Sequence, residues 1–380
     1  MSTNLCPLEF YNYLISKDIT FFTGVPDSLL KEFNNVVLKK SDKKNHVITA
    51  NEGASIALAT GYHFSTRKVP LVYLQNSGTG NIINPLMSLV SKHVYAVPML
   101  IVIGWRGEPG VKDEPQHVTQ GACMEELLKS LGMPYDILPT SLEDVKNVVD
   151  SALNTIKSTS SPYVLLVKKN TFNTFNETVS LNPTDYTYFR KDAVECLISH
   201  FKEDVILCTT GKSSRELLES ADNLGISQDN IFLNVGAMGH VSMISQGIAS
   251  HTSKRVLCID GDGSCIMHMG NLSTIGSIKS ENLFHVVLNN GMHESVGIQP
   301  TCGFEVDFVK IAQGCGYTYA ARATSQAEIN RCLEEIRYYD IKGPYFIEVR
   351  ISNQVNYTHE LSRPKNKPID RKEKFMNFIS

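Results

Sequence analysis

The chain has 380 residues, long for a single hydrophobic core, and two domains are the natural reading. Its 36 basic residues against 39 acidic ones give a formal charge of −3, which argues against nucleic acid and anionic membrane as partners. The nine cysteines are scattered, odd in number and lack a Cys-x-x-Cys pair, so neither a disulfide framework nor a zinc site is expected, and reduced thiols in a cytoplasmic protein fit better.

At the N-terminus, Met1-Ser-Thr-Asn-Leu-Cys-Pro-Leu-Glu9 has no basic stretch leading into an apolar one, so no signal peptide is expected. Residues 19–23 read as a strand, and Gly24-Val-Pro-Asp27 turns into a helix over 28–39. A short extended piece at 47–49 precedes a helix over 52–66, with small and apolar residues at 54 and 56–59. Residues 71–74 form a strand, and Asn76-Ser-Gly-Thr-Gly-Asn81 turns into another helix. The longest apolar run, 94–103, contains Pro98 and is far too short to span a bilayer; it reads as a turn entering a buried strand at 99–103. The stretch 104–121 interrupts the alternation as an irregular loop. A helix over 142–156 is capped by Ser141, and 163–167 closes the first unit as a strand.

Polar residues 170–188 read as an interdomain linker. The expected division is therefore 1–170, a linker at 171–188, and 189–380. Strands resume at 205–208, 231–233, 256–259, 283–288, 317–320 and 345–349, with helices between, one of them over 266–278. The last dozen residues are basic and read as a solvated tail. Strand–helix alternation in both halves predicts an α/β fold: two doubly wound parallel sheets covered by helices on both faces.

Two strand ends carry the chemistry. One run ends in Gly261-Asp262-Gly263-Ser264, the other in Asn289-Asn290-Gly291. On neighbouring parallel strands these tips meet at the carboxyl edge of the sheet, where open α/β sheets bind ligands. Asp and Asn oxygens suit Mg²⁺ or Ca²⁺, and glycine lets a diphosphate approach the backbone. Thr209-Thr210-Gly211-Lys212-Ser213-Ser214 looks like a Walker loop, but the required upstream glycine falls at Ile206, so only a smaller anion cradle remains. Glu52, in the first turn of its helix, complements the helix dipole on spacing alone. Met238, in Asn234-Val-Gly-Ala-Met-Gly-His240, reads on its own as a core residue of the following helix.

Gly261-Asp262-Gly263-Ser264 followed by Asn289-Asn290 resembles the thiamine diphosphate signature of the pyruvate decarboxylase and acetolactate synthase superfamily. The resemblance implies that Asp262, Asn290 and the carbonyl of Met292 hold Mg²⁺. It implies diphosphate contacts from Thr210, Gly211 and Ser213, and a cofactor seat at Gly261, Gly263 and Ser264. It assigns the Gly236 carbonyl to the cofactor's 4′-amine, Met238 to propping the cofactor in a bent shape, and Glu52 to N1′ of the aminopyrimidine. A Glu in a dry pocket has a raised pKa and shares a proton with that ring nitrogen.

Most superfamily members carry a third, middle domain, which is absent here. That compact layout, with Thr23-Gly-Val-Pro-Asp-Ser28, Trp105-Arg-Gly-Glu-Pro-Gly110 and Lys112-Asp-Glu-Pro-Gln-His-Val118, resembles the phosphonopyruvate and sulfopyruvate decarboxylase family. The resemblance implies a small 2-oxo acid substrate and non-oxidative decarboxylation of 3-phosphonopyruvate to phosphonoacetaldehyde and CO₂, a step of phosphonate biosynthesis. Sulfopyruvate and acetolactate-type carboligation are the alternatives. A homodimer or larger homo-oligomer with shared active sites is implied as well. Arg106 and Lys112 are candidates for the substrate's anionic group. Asp27 and His117 are candidates for proton handling, with His293 and Glu294 as substitutes.

Overall fold

The computed structural model describes residues 4–177, 184–354, 361 and 366–379. The chain divides into two compact units, Met1–Ser180 with His293–Gln299, and Leu181–Met292 with Pro300–Ser380.

Unit 1 is built on strands β1 (Phe22–Gly24), β2 (His46–Ile48), β3 (Leu71–Gln75), β4 (Leu100–Gly104), β5 (Tyr135–Ile137) and β6 (Tyr163–Val167). They form one sheet in the order β2-β1-β3-β4-β6-β5, every pairing parallel. Alternate residues feed two separate cores. Tyr73, Val102 and Leu165 pack on one face, and Val72, Ile101 and Leu166 on the other. Burial on both faces explains why these strands are continuous apolar runs.

Unit 2 contains β7 (Val205–Cys208), β8 (Ile231–Leu233), β9 (Val256–Gly261) and β10 (Leu283–Asn289). Two short strands, β11 (Met292–His293) and β12 (Gln299–Pro300), pair with each other. Strands β13 (Tyr319–Ala323) and β14 (Tyr345–Arg350) complete a parallel sheet in the order β13-β14-β10-β9-β7-β8. Counted within its own unit, each sheet has the order 2-1-3-4-6-5. The halves thus share a topology that no residue-level repeat reveals.

The strands and the helix Glu52–Thr66 lie close to where the sequence pattern puts them. Several other elements differ, for local reasons. The helix expected from 28 begins at Lys31, because Asp27 Oδ2 accepts the Leu29 and Leu30 N–H groups at 2.7 and 3.2 Å and holds them in a turn. The irregular loop ends early: Pro115 opens a helix running to Ser130, with Pro at a first-turn position where its missing N–H costs nothing. His117 is therefore helical. The single helix expected over 266–278 is two, Asp262–Met267 and Asn271–Ile278, interrupted where His268 leaves helical geometry (φ −131°, ψ 48°). Helix Pro7–Ser16 and edge strand β5 are additional elements.

Part of the stretch read as a linker is packed. Phe172 belongs to a unit 1 core, and Leu5 N–H donates to Thr171 O and Asn173 N–H to Leu5 O, both at 2.8 Å. Residues 178–183 lie outside the described residues. The chain end is not simply a solvated tail. Pro368–Ile379 is a helix whose Phe375, 4% exposed, meets Phe232 at a ring distance of 5.5 Å. Arg371 and Phe375, four apart, share the buried face.

Candidate active site

In unit 2 the carboxyl ends of four adjacent strands, β10-β9-β7-β8, carry the residues singled out above. The register pairs Leu288 with Gly261, so the next residues, Asn289 and Asp262, emerge side by side. Asp262 is 2% exposed and Asn290 6%. The Asp262 carboxylate accepts from the Thr301 hydroxyl, and Thr301 is tied down by donating its own N–H to Gly291 O at 2.9 Å. Asn290 Oδ1 accepts the Met292 N–H at 3.2 Å. Asn289 points inward, donating to Gly303 O at 2.7 Å and Glu348 at 2.8 Å. Gly303 has to be glycine: a Cβ there would fall 2.5 Å from Asp262 Oδ2.

The remaining unit 2 loops are stitched to that turn. Thr209 donates to Ser264 Oγ at 3.1 Å, and Gly239 N–H donates to the same oxygen at 3.1 Å. Thr210 donates to Val235 O at 3.1 Å. Thr210 and Gly211 lead into helix Lys212–Asn223, with Ser213 in its first turn, and the N-terminal end of a helix suits an anion. Gly236 and Met238 lie in the turn before helix Val241–Ala249, half-buried. Met238 is therefore not a core residue of that helix.

The same four positions of the unit 1 sheet, β2-β1-β3-β4, carry the other set. Glu52 heads the helix after β2, where Asn51 caps by accepting the Ala54 N–H at 3.0 Å. Its carboxyl is 5% exposed and accepts from Asn81 Nδ2 at 2.7 Å. A Cβ on Gly78 would collide with it. Burial pushes the Glu52 carboxyl above its ordinary range, against the pull of Asn81. After β1, Asp27 is fully buried and also accepts from Gln75. Burial raises its pKa, opposed by Gln75, the Leu29 and Leu30 N–H groups and the nearby Arg106.

Arg106, after β4, is committed. Its Nε donates to Asp113 Oδ2 at 2.8 Å, Nη2 donates to the other Asp113 oxygen, and Nη1 donates to Ser28 at 2.8 Å. Burial pushes the Asp113 carboxyl up, but Arg106 and the Gly107 N–H outweigh it and hold the pKa low. Lys112, in the same loop, is exposed. His117 is buried, its Nδ1 has no hydrogen-bond partner among the described residues, and burial lowers its pKa to about 4. His293 is likewise lowered to about 4 by burial.

The chain pattern did not single out Thr301, Asn81, Gln75 or Asp113. Each is a polar residue with no periodic signal; Thr301, Asn81 and Gln75 acquire their roles from a partner on another strand end, and Asp113 from Arg106 in its own loop.

Two family models match the chain: the N-terminal TPP binding domain of thiamine pyrophosphate enzymes over residues 10–128, and their C-terminal TPP binding domain over 218–349. The fold and these matches define the class, a thiamine pyrophosphate enzyme with both cofactor-binding halves on one chain. Over 378 residues the chain is 32% identical to the phosphonopyruvate decarboxylase of Streptomyces viridochromogenes, covering 95% of this chain and 92% of that protein. The phosphonopyruvate decarboxylase of Streptomyces hygroscopicus is 31% identical over 378 residues, with 95% and 91% covered. The sulfopyruvate decarboxylase of Methanosarcina acetivorans is 25% identical over 356 residues, with 87% and 85% covered. The chain belongs to the phosphonopyruvate decarboxylase family.

The unit 2 residues fit a diphosphate with its divalent metal. Burial drives the Asp262 pKa up to about 6, and a hard cation is the partner that holds such a buried carboxylate ionised. Among the described residues no helix is long and apolar enough to cross a membrane.

Proposed function

We propose that this protein decarboxylates 3-phosphonopyruvate to phosphonoacetaldehyde and CO₂, using thiamine diphosphate and Mg²⁺. The observation that carries the reading is the in-register pairing that sets Asp262 beside the twin Asn tip, in a chain of this family. Asp262, Asn290 and the Met292 carbonyl would hold the metal. Thr210, Gly211, Ser213, Gly261, Gly263 and Ser264 would seat the diphosphate, with Gly236 and Met238 beside the pyrimidine. Bound thiamine diphosphate supplies the electron sink for the pair left when CO₂ departs. Glu52 holds and returns a proton at the aminopyrimidine nitrogen, a task its dry, raised-pKa carboxyl suits. His117 Nδ1, buried and without a hydrogen-bond partner among the described residues, and Asp27 handle the proton that completes the aldehyde. The protein acts in the cytoplasm; all nine cysteines are free.

We assign the substrate's phosphonate to Lys112, with Arg106 as a second cation whose charge Asp113 largely answers. Lys112→Ala should raise KM for phosphonopyruvate about tenfold with little change in kcat, the signature of lost binding that ground and transition states share equally. An unchanged KM would remove Lys112 from the site.

The working form is at least a homodimer with shared active sites. One face of helix Glu52–Thr66 leaves Ala54, Ala57, Leu58, Gly61 and Phe64 exposed, and Tyr95 packs edge-on against Phe64 at 6.1 Å. An apolar patch of this kind marks an interface. The functional test offers phosphonopyruvate, sulfopyruvate and pyruvate in parallel to purified protein with thiamine diphosphate and Mg²⁺. Phosphonoacetaldehyde is the expected product; preferential formation of sulfoacetaldehyde or of a hydroxyketone would overturn the assignment.

A further inference from the structure

Beneath the Gly261-Asp262-Gly263 turn, a chain of hydrogen bonds runs into the core of unit 2. Asp260, the next-to-last residue of β9, is fully buried. One of its carboxylate oxygens accepts the Gly261 N–H at 2.9 Å, and the other meets His285 Nε2 at 3.4 Å. His285 sits on the neighbouring strand β10, 1% exposed, with Nδ1 3.0 Å from the Tyr317 hydroxyl. A carboxylate only accepts, so Nε2 donates to Asp260; in the neutral imidazole Nδ1 then accepts and Tyr317 donates. The chain has one direction, from Tyr317 through His285 to Asp260. There it meets the backbone amide that leads into the metal-binding residue.

A buried carboxylate is costly unless its oxygens are bonded. The roles assigned above use none of these three side chains, so their place in the core needs another reason. We propose that Asp260, braced by His285 and Tyr317, is a positioning residue for the diphosphate- and metal-binding turn. By drawing the Gly261 amide inward it sets the direction in which Asp262 leaves the strand. It touches neither substrate nor cofactor; it acts through Asp262 and the amides that follow. The role rests on the assignment of this turn to the cofactor.

The Cys265 thiol lies near the pair, with its sulfur and the Asp260 and His285 ligand atoms all within 4.8 Å of one another. A soft metal ion would use the same three atoms. The hydrogen-bond chain already engages both His285 nitrogens and both Asp260 oxygens, and that favours the brace.

The test compares Asp260→Ala, Asp260→Asn and Tyr317→Phe with the parent protein. Calorimetry measures Mg²⁺–thiamine diphosphate binding, and kcat is taken at saturating cofactor. Asp260→Ala should weaken cofactor binding about 10- to 100-fold, the usual cost of losing an outer-shell partner, with kcat at saturation within about threefold. Asp260→Asn should recover most of the affinity. Its amide oxygen accepts from Gly261, and its NH₂ donates to His285, whose tautomer reverses.

Parent-like binding in Asp260→Ala overturns the proposal, and so does Asn binding no better than Ala. If Asp260→Ala does not fold, Tyr317→Phe decides, since it keeps the packing and removes only the terminal donor. A loss of about three- to tenfold supports the brace, and unchanged affinity overturns it. An equivalent of tightly held zinc in the parent, lost in His285→Gln, also overturns it. Failure of the parent to bind Mg²⁺–thiamine diphosphate would instead defeat the cofactor assignment, and the positioning role with it.

Discussion

Glu52→Gln is expected to lower kcat about 10³-fold while leaving Mg²⁺–thiamine diphosphate affinity within about threefold, because it removes an acid–base group and little volume. The amide is nearly isosteric, and Asn81 can still donate to its oxygen. The variant should also report on the energetics of the site. Burial raises the Glu52 pKa, so the fold favours the protonated carboxyl. That advantage is fully present below the ordinary carboxylate value and is lost as pH rises through the folded value. Glutamine cannot ionise. The cofactor-free variant should therefore melt higher than the parent at neutral pH, and the gap should close as pH falls towards the acid range. Near-parent turnover would remove Glu52 from the chemistry. A melting gap that does not vary with pH would remove the burial argument.

Asp262→Ala should weaken Mg²⁺-dependent thiamine diphosphate binding by on the order of 100-fold or more, since a metal ligand counts for at least as much as an outer-shell partner. The carboxylate is presented by the strand register and held in one orientation by Thr301. Alanine leaves the Thr301 hydroxyl with no acceptor there, but it also removes a buried charge that has no cation in the protein alone. The cofactor-free variant should accordingly fold with a melting temperature close to the parent's. Binding measured by calorimetry with and without Mg²⁺ separates the two effects. In the parent, Mg²⁺ should strengthen binding; in the variant, its addition should change little. A variant that retains the Mg²⁺ dependence would place the metal elsewhere.

Strand ends were legible because both faces of each sheet are covered. A run such as Val256 to Ile259 must be apolar at every position, and it stops being so where it reaches the edge. The tips, Asp262 and Asn289-Asn290, follow directly from where those runs stop. The helix behind Glu52 was equally legible, from the small and apolar residues at 54 and 56–59. The long helix read over 266–278 failed because periodicity cannot see that His268 leaves helical geometry. The tail over 368–379 was read by its charge, and the two buried positions that dock it, Arg371 and Phe375, are too few to register as a pattern.

The sequence by itself determined the alternation of strand and helix, the two halves, and the residues standing at the strand ends, because local patterns of burial and turn chemistry specify all of these. Only the tertiary structure decided who answers whom. Thr301 reaches Asp262 from 39 residues away, and Asn81 reaches Glu52 from 29. Asp260, on β9, is braced through His285 on the neighbouring strand to Tyr317. Such pairings are set by strand order and packing across the sheet edge, and no period along the chain encodes them.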